Sequence, residues 1–93
     1  MIESFKDAAT KELFETGKSR RIPARIRRVA VRKLNQLRVS VELNDLAVPP
    51  GNRLEALHGD REGQHSIRIN DQYRVCFVWA GDRAHDVEIV DYH

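Results

Sequence analysis

The chain is short of cysteine, of long apolar runs and of breaks between segments, and each shortage narrows what it can be. Its one thiol, Cys76, sits inside an apolar stretch. Neither an internal disulfide nor a multi-cysteine metal site can therefore form. The longest unbroken apolar run, Val75 to Ala80, has six residues, against the roughly 20 that a membrane-spanning helix needs. The N-terminus carries no signal-peptide hydrophobic region, so a cytoplasmic location and no membrane partner are expected. No repeat, low-complexity tract or linker divides the 93 residues, which read as a single domain, 1–93, with one main site.

Acidic residues are missing where basic ones are densest. From Lys18 to Arg38 there are nine basic side chains and no acid, and twelve of the sixteen basic residues in the chain are arginine. The net charge of +2 hides this asymmetry. A one-sign stretch of this density suits a polyanion such as RNA, or an acidic protein surface, and arginine forks onto phosphate better than lysine. The ordinary alternative is a solvated helix face.

Periodicity divides the chain in two. Ile2 to Phe5 reads as a short strand, and Asp7 to Thr16 as a helix ended by Gly17. Pro23 then stands where a first helical residue belongs, and Ile22, Ile26, Val29, Ala30, Leu34, Leu37 and Val41 recur at spacings of three and four. The other side of this second helix carries Arg21, Arg25, Arg28 and Arg32, so the basic stretch becomes a stripe. Asn44 to Asn52, with Pro49, Pro50 and Gly51, reads as a loop. Beyond it the period falls to two, predicting strands at Arg53–His58, Gln64–Asn70, Tyr73–Ala80 and Ala84–Val90 with short turns between them. The fold class is α+β: two N-terminal helices packed on one face of a twisted, mainly antiparallel sheet, with the other face free.

Register follows from matching. A three-residue turn at Asn70-Asp71-Gln72 sets Ile69 against Tyr73, Arg68 against Arg74 and Ile67 against Val75, whereas a slip of one residue sets apolar against charged. Two arginines then face each other across a ladder, where like charges repel. A phosphate clamped between them would remove that cost. So would splaying to water, or pairing with Glu55, Glu88 or Asp91.

Proton-transfer groups are present as His58, His65, His85, His93, Tyr73 and Tyr92. His65 shares the core-facing parity of Ile67, His85 adjoins a turn, and His58 ends a strand where an exposed side chain could reach a ligand. Terminal residues such as Tyr92 and His93 usually fray. No histidine pair has metal-ligand spacing, no carboxylate cluster suits a two-metal nuclease and no glycine-rich phosphate loop exists, so no cofactor or metal is expected. Metal-free cleavage of RNA is chemically available, because the substrate's own 2′-hydroxyl can attack its phosphorus once a base, cations and an acid are supplied.

The stretch GNRLEALHGDREGQHSIRIND from Gly51 to Asp71, continued by QYRVCF and closed by VEIVDYH, resembles the HigB-type toxins, or plasmid maintenance system killer proteins, of the RelE superfamily. MIESFKD at the start and LFETG at 13–17 resemble the same family, so the likeness spans nearly the whole chain. It implies a RelE-like fold and cleavage of mRNA in the ribosomal A site. It further implies a HigA-like helix-turn-helix antitoxin as partner, with operator DNA reached only through the antitoxin complex. By position, Arg68 and Arg74 match the family's paired arginines, with Arg74 the better candidate for the scissile phosphate, and Tyr92 and His93 match its terminal Tyr-His. A functional C-terminus must then be tied down by the sheet. Arg21, Arg25, Arg28, Arg32 and Arg61 become expected contacts to the ribosome and its RNA. Two features depart from the family: His58 stands where many members carry lysine, and Glu55 and His65 replace a histidine and an aromatic residue found in others. These departures leave the general base open and make cleavage expected to depend on pH through His58. A non-catalytic RNA- or antitoxin-binding module, or a degenerate toxin acting as co-repressor, is the competing reading.

Overall fold

A computed structural model of the chain describes residues 1–92, so His93 lies outside the described residues. Helix α1 (Ala8–Thr16) begins where the Asp7 carboxylate accepts a hydrogen bond from the Thr10 amide at 2.7 Å, and ends at Gly17, whose φ of 78° would strain any residue with a Cβ. Asp7 is thus the cap rather than the first helical residue. Pro23 stands likewise just outside helix α2 (Ala24–Val39). That helix stops two residues short of the expected Val41, which is exposed, because a 3₁₀ turn at Leu43–Ala47 takes over. Asp45 holds the switch by accepting from the Val41 and Glu42 amides, both at 3.0 Å, which keeps its carboxyl below the usual range.

The four strands, β1 (Glu55–Ala56), β2 (His65–Arg68), β3 (Tyr73–Ala80) and β4 (Arg83–Asp91), form an antiparallel meander in chain order. Strand β1 is much shorter than the expected Arg53–His58: Arg53 takes left-handed backbone, φ 46°, and a 3₁₀ turn at Gly59–Arg61 follows His58. Ile2 to Phe5 makes no full strand but meets β4 through two parallel bridges, Ile2 to Ala84 and Phe5 to Val87, adding one parallel edge. Asp86, at φ 52°, sits where β4 sets two residues, Asp86 and Val87, against one of β3, Phe77, a bulge that re-aims the strand end.

Both helices press on one face. Leu13, Ile26, Ala30, Leu34 and Leu37 meet Ile67, Val75, Phe77 and Val87, each buried, at about 2 kcal/mol for each large side chain taken out of water. The loop after α2 is plugged rather than solvated: Asn52, fully buried, donates to the carbonyl of Leu46 at 3.1 Å and to the Gln36 side chain at 2.9 Å, and accepts from the buried Lys33 ammonium. Burial, assisted by neighbouring Arg32, pushes the Lys33 pKa down.

The opposite face departs from expectation, for it is not free. Ser66 and Cys76, neighbours across β2 and β3, are fully buried there. A layer of charged side chains lies over them, because arginine can lay its stem on apolar surface while its head pairs with acid at the rim.

Candidate active site

The alternation of β1 to β4 sets two rows side by side on the helix-free face. Glu55, Ser66, Cys76 and Glu88 make one row across all four strands. Arg68, Arg74 and Val90 make the next, with Arg68 directly opposite Arg74 as the hydrophobic matching requires.

Arg74 is the best-held cation of the site. One nitrogen, Nη1, donates to Ser66 Oγ at 2.9 Å and to the Arg53 carbonyl at 3.3 Å, while Nη2 lies 3.4 Å from Glu55 Oε1. Its guanidinium carbon lies 5.6 Å from the centre of the Tyr92 ring, a cation–π distance. Only 13% of the Arg74 side chain is exposed, so its direction is set by this cage. Arg68 pairs instead with Asp71, an exposed residue of the following turn. Both arginines thus carry a carboxylate, and the expected repulsion is answered within the protein.

Beside them opens a cleft of about 260 Å³ lined by Arg53, Arg68, Asn70, Asp71 and Arg74. Arg53 is a residue that sequence reading missed. It looked like the start of a strand, but its left-handed backbone interrupts the strand, and the residue lines this cleft. The signal available was the preceding Pro-Pro-Gly-Asn, which forbids regular structure there.

Gln72 explains how the C-terminus is held. Its carbonyl accepts from the Tyr92 amide at 2.6 Å, and its side chain bridges Asp91 and Arg25, each at 3.0 Å. Arg25 also lies 5.9 Å from the centre of the Tyr73 ring. The basic stripe on α2 is thereby joined to the turn beside the cleft. Arg21, Arg28 and Arg32 are exposed, the last two at helical spacing from Arg25 on α2. Arg61 behaves differently: it bonds Glu88 at 3.0 Å and Gln64 at 3.1 Å, and the Glu88 bond keeps its guanidinium above the usual range.

The histidines separate. His58 is 85% exposed and lies 3.4 Å from Glu62, and it does not line the arginine cleft. His65 is half-buried and stacks on Phe77, as its core-facing parity requires, and its Nδ1 is buried without a hydrogen-bond partner among the described residues. Cys76 lies beneath the charged layer, where burial pushes the thiol pKa up. Among the described residues no group of three or more histidine, cysteine or acidic side chains is placed to hold a metal ion. Nor is any helix long and apolar enough to cross a membrane.

Two helices on an antiparallel sheet that carries an arginine pair and a tethered C-terminal strand define a RelE-superfamily toxin fold. The YoeB–YefM complex from Staphylococcus aureus contains a chain that matches 100% of this one, with 98% of its own length covered, a TM-score of 0.62 and 18% identity. A variant of YafQ from E. coli matches 98% of the chain and 93% of its own, at a TM-score of 0.56 and 11% identity. These likenesses concern the fold. The chain belongs to the HigB-like toxin family: the model described as "RelE-like toxin of type II toxin-antitoxin system HigB" matches residues 3–93. Toxin HigB-1 of Vibrio cholerae is 42% identical over 80 residues, 85% of this chain and 84% of its own. Endoribonuclease HigB of Proteus vulgaris is 35% identical over 98 aligned positions that cover both chains completely.

Proposed function

We propose that this toxin is a ribosome-dependent mRNA endoribonuclease that cuts by attack of the substrate's own 2′-hydroxyl. The carrying observation is Arg74, caged by Ser66, Glu55 and the Arg53 carbonyl, stacked on Tyr92 and opposite Arg68 beside an open cleft. The complete alignment with a relative named an endoribonuclease supports the same reading.

In this mechanism a base takes the 2′-hydroxyl proton, the 2′-oxygen attacks phosphorus, and the bond to the 5′-oxygen breaks. The 5′-oxygen receives a proton, leaving a 2′,3′-cyclic phosphate and a free 5′-hydroxyl. Arg74 and Arg68 stabilise the extra charge on the pentavalent phosphorus, in a fixed cage that needs no reorganisation. Tyr92, whose ring lies against the Arg74 guanidinium, and His93 beside it in the chain serve proton transfer. Glu55 supplies a base where it already touches Arg74, and His58 serves as a cation in place of the lysine that the resemblance implies. The stripe of Arg21, Arg25, Arg28 and Arg32, with Arg61, docks on ribosomal RNA. A HigA-like helix-turn-helix antitoxin neutralises the toxin in the cytoplasm and brings it to operator DNA, in keeping with the solved complex of the YoeB relative.

Primer-extension mapping of transcripts after induction tests this directly. Arg74→Ala is expected to abolish new 5′ ends and growth arrest, a loss of at least about 100-fold, the scale of removing one donor to transition-state charge. Retained cleavage overturns the assignment. The binding-only alternative draws on one observation, that both arginines already have carboxylate partners. Growth arrest without cut transcripts in the wild type would favour it.

A further inference from the structure

We infer that Arg53 is a third phosphate-gripping residue, so that the cleft takes a second backbone phosphate of single-stranded RNA next to the one being cut. The inference rests on the nuclease reading for the direction of the strand but on separate observations for the site. Arg53 holds left-handed backbone, φ 46° and ψ 56°, which costs a residue with a Cβ about 1 kcal/mol or more. Glycine or asparagine would relieve that strain.

The surroundings over-determine the conformation. Asn52 is locked in the buried plug beneath α2, the Arg53 amide donates to the Pro50 carbonyl at 3.1 Å, and the Arg53 carbonyl accepts from Arg74 at 3.3 Å. One strained residue therefore both steadies Arg74 through its carbonyl and lines the cleft together with Arg68 and Arg74.

Charge singles it out further. Asp71 answers Arg68 and Glu55 answers Arg74, whereas Arg53 has no carboxylate partner among the described residues. The cleft carries one uncompensated positive charge before any ligand arrives. The cleft, about 260 Å³ and open to solvent, has room for a tetrahedral anion. Asn70 adds little to compete for an anion, since its side-chain oxygen is spent on the Gln72 and Tyr73 amides, both at 2.8 Å. An extended strand whose scissile phosphate sits at Arg74 thus meets Arg53 with its neighbouring phosphate.

The test is a salt series of fluorescence anisotropy with a single-stranded RNA hexamer carrying 2′-O-methyl riboses, which the toxin cannot cut. Arg53→Gly removes the guanidinium and relaxes the backbone, so its melting temperature should equal or exceed that of the wild type. Its affinity should nevertheless fall about tenfold, and the slope of log K against log salt should shrink by about 0.7, the value of one phosphate contact on a single strand. Arg53→Lys should keep the slope and lose part of the affinity. In the ribosome-supplemented assay Arg53→Gly should raise KM by a larger factor than it lowers kcat. An unchanged slope and KM in Arg53→Gly overturns the inference, as does the absence of measurable wild-type binding. If Arg74→Ala stops cleavage while Arg53→Gly changes nothing, only the second phosphate site falls. If Arg53→Gly weakens binding but the wild type cuts no transcript, only the nuclease reading falls.

Discussion

Arg68 and Arg74 face each other across β2 and β3, and each is held away from the other by its own acid, Asp71 for the first and Glu55 for the second. The pair is at rest without a ligand, and on the proposed reading an incoming phosphate would displace or share those carboxylates. Exposure separates the two acids: Asp71 is almost fully exposed, Glu55 half so.

Removing the more exposed acid should therefore free an arginine at little structural cost. Asp71→Asn is expected to tighten binding of the uncleavable RNA hexamer a few-fold while lowering stability by less than about 1 kcal/mol, the usual worth of a surface pair. Glu55→Gln should tighten binding likewise, but cleavage should fall if Glu55 takes the 2′-hydroxyl proton. Binding by anisotropy and cleavage by primer extension separate the two effects.

His58 gives a second handle. By the resemblance it stands where a lysine would supply a permanent cation, so substitution separates the need for charge from the need for an imidazole. In a ribosome-supplemented assay His58→Lys should cleave at least as fast as the wild type, and His58→Ala severalfold more slowly. Full activity in His58→Ala would take His58 out of the mechanism.

Asn52 should matter more for stability than any residue of the cleft. Asn52→Ala leaves the buried Lys33 ammonium without its acceptor and strips a donor from the Leu46 carbonyl. A loss of about 3 kcal/mol is expected, seen as a fall of roughly 15 °C in Tm for a domain of this size. RNA affinity should fall with it, because the loop that holds Arg53 loosens. An unaltered Tm would show that the plug is dispensable.

Cys76 makes an alkaline prediction. Burial raises its pKa in the folded state above the ordinary 9.0, so above that pH the unfolded chain loses a proton that the folded chain keeps. The thiol's contribution is complete below pH 9.0 and is lost as pH rises toward the folded value. Denaturant titrations should show the wild type losing stability relative to Cys76→Ala by up to about 1.4 kcal/mol per pH unit in that window. A constant difference from pH 8 to 11 would refute the burial account.

Much of the architecture is written in local pattern. Apolar spacing of three and four marks α2, period two marks β2 to β4, and the demand that apolar meet apolar sets Arg68 opposite Arg74, all of which the fold keeps. These features survive because periodicity and register are properties of neighbouring residues, and a one-residue error exposes a whole face to water.

What depends on distant groups could not be read that way. That Ser66 and Cys76 are buried on the supposed free face follows from Arg61, Arg74 and Glu88 folding over them. The left-handed turn that sets Arg53 beside the cleft follows Asn52, which is fastened to Lys33 on α2, nineteen positions earlier in the chain. The tethering of Tyr92 depends on Gln72, itself fastened to Arg25, 47 positions away. Sequence by itself therefore determined α1, α2 and β2 to β4, their order and the register of β2 on β3. Only the tertiary structure decided which charges are already neutralised and which one, Arg53, is left facing the cleft, because partner choice among charges is settled by through-space distance rather than by spacing along the chain.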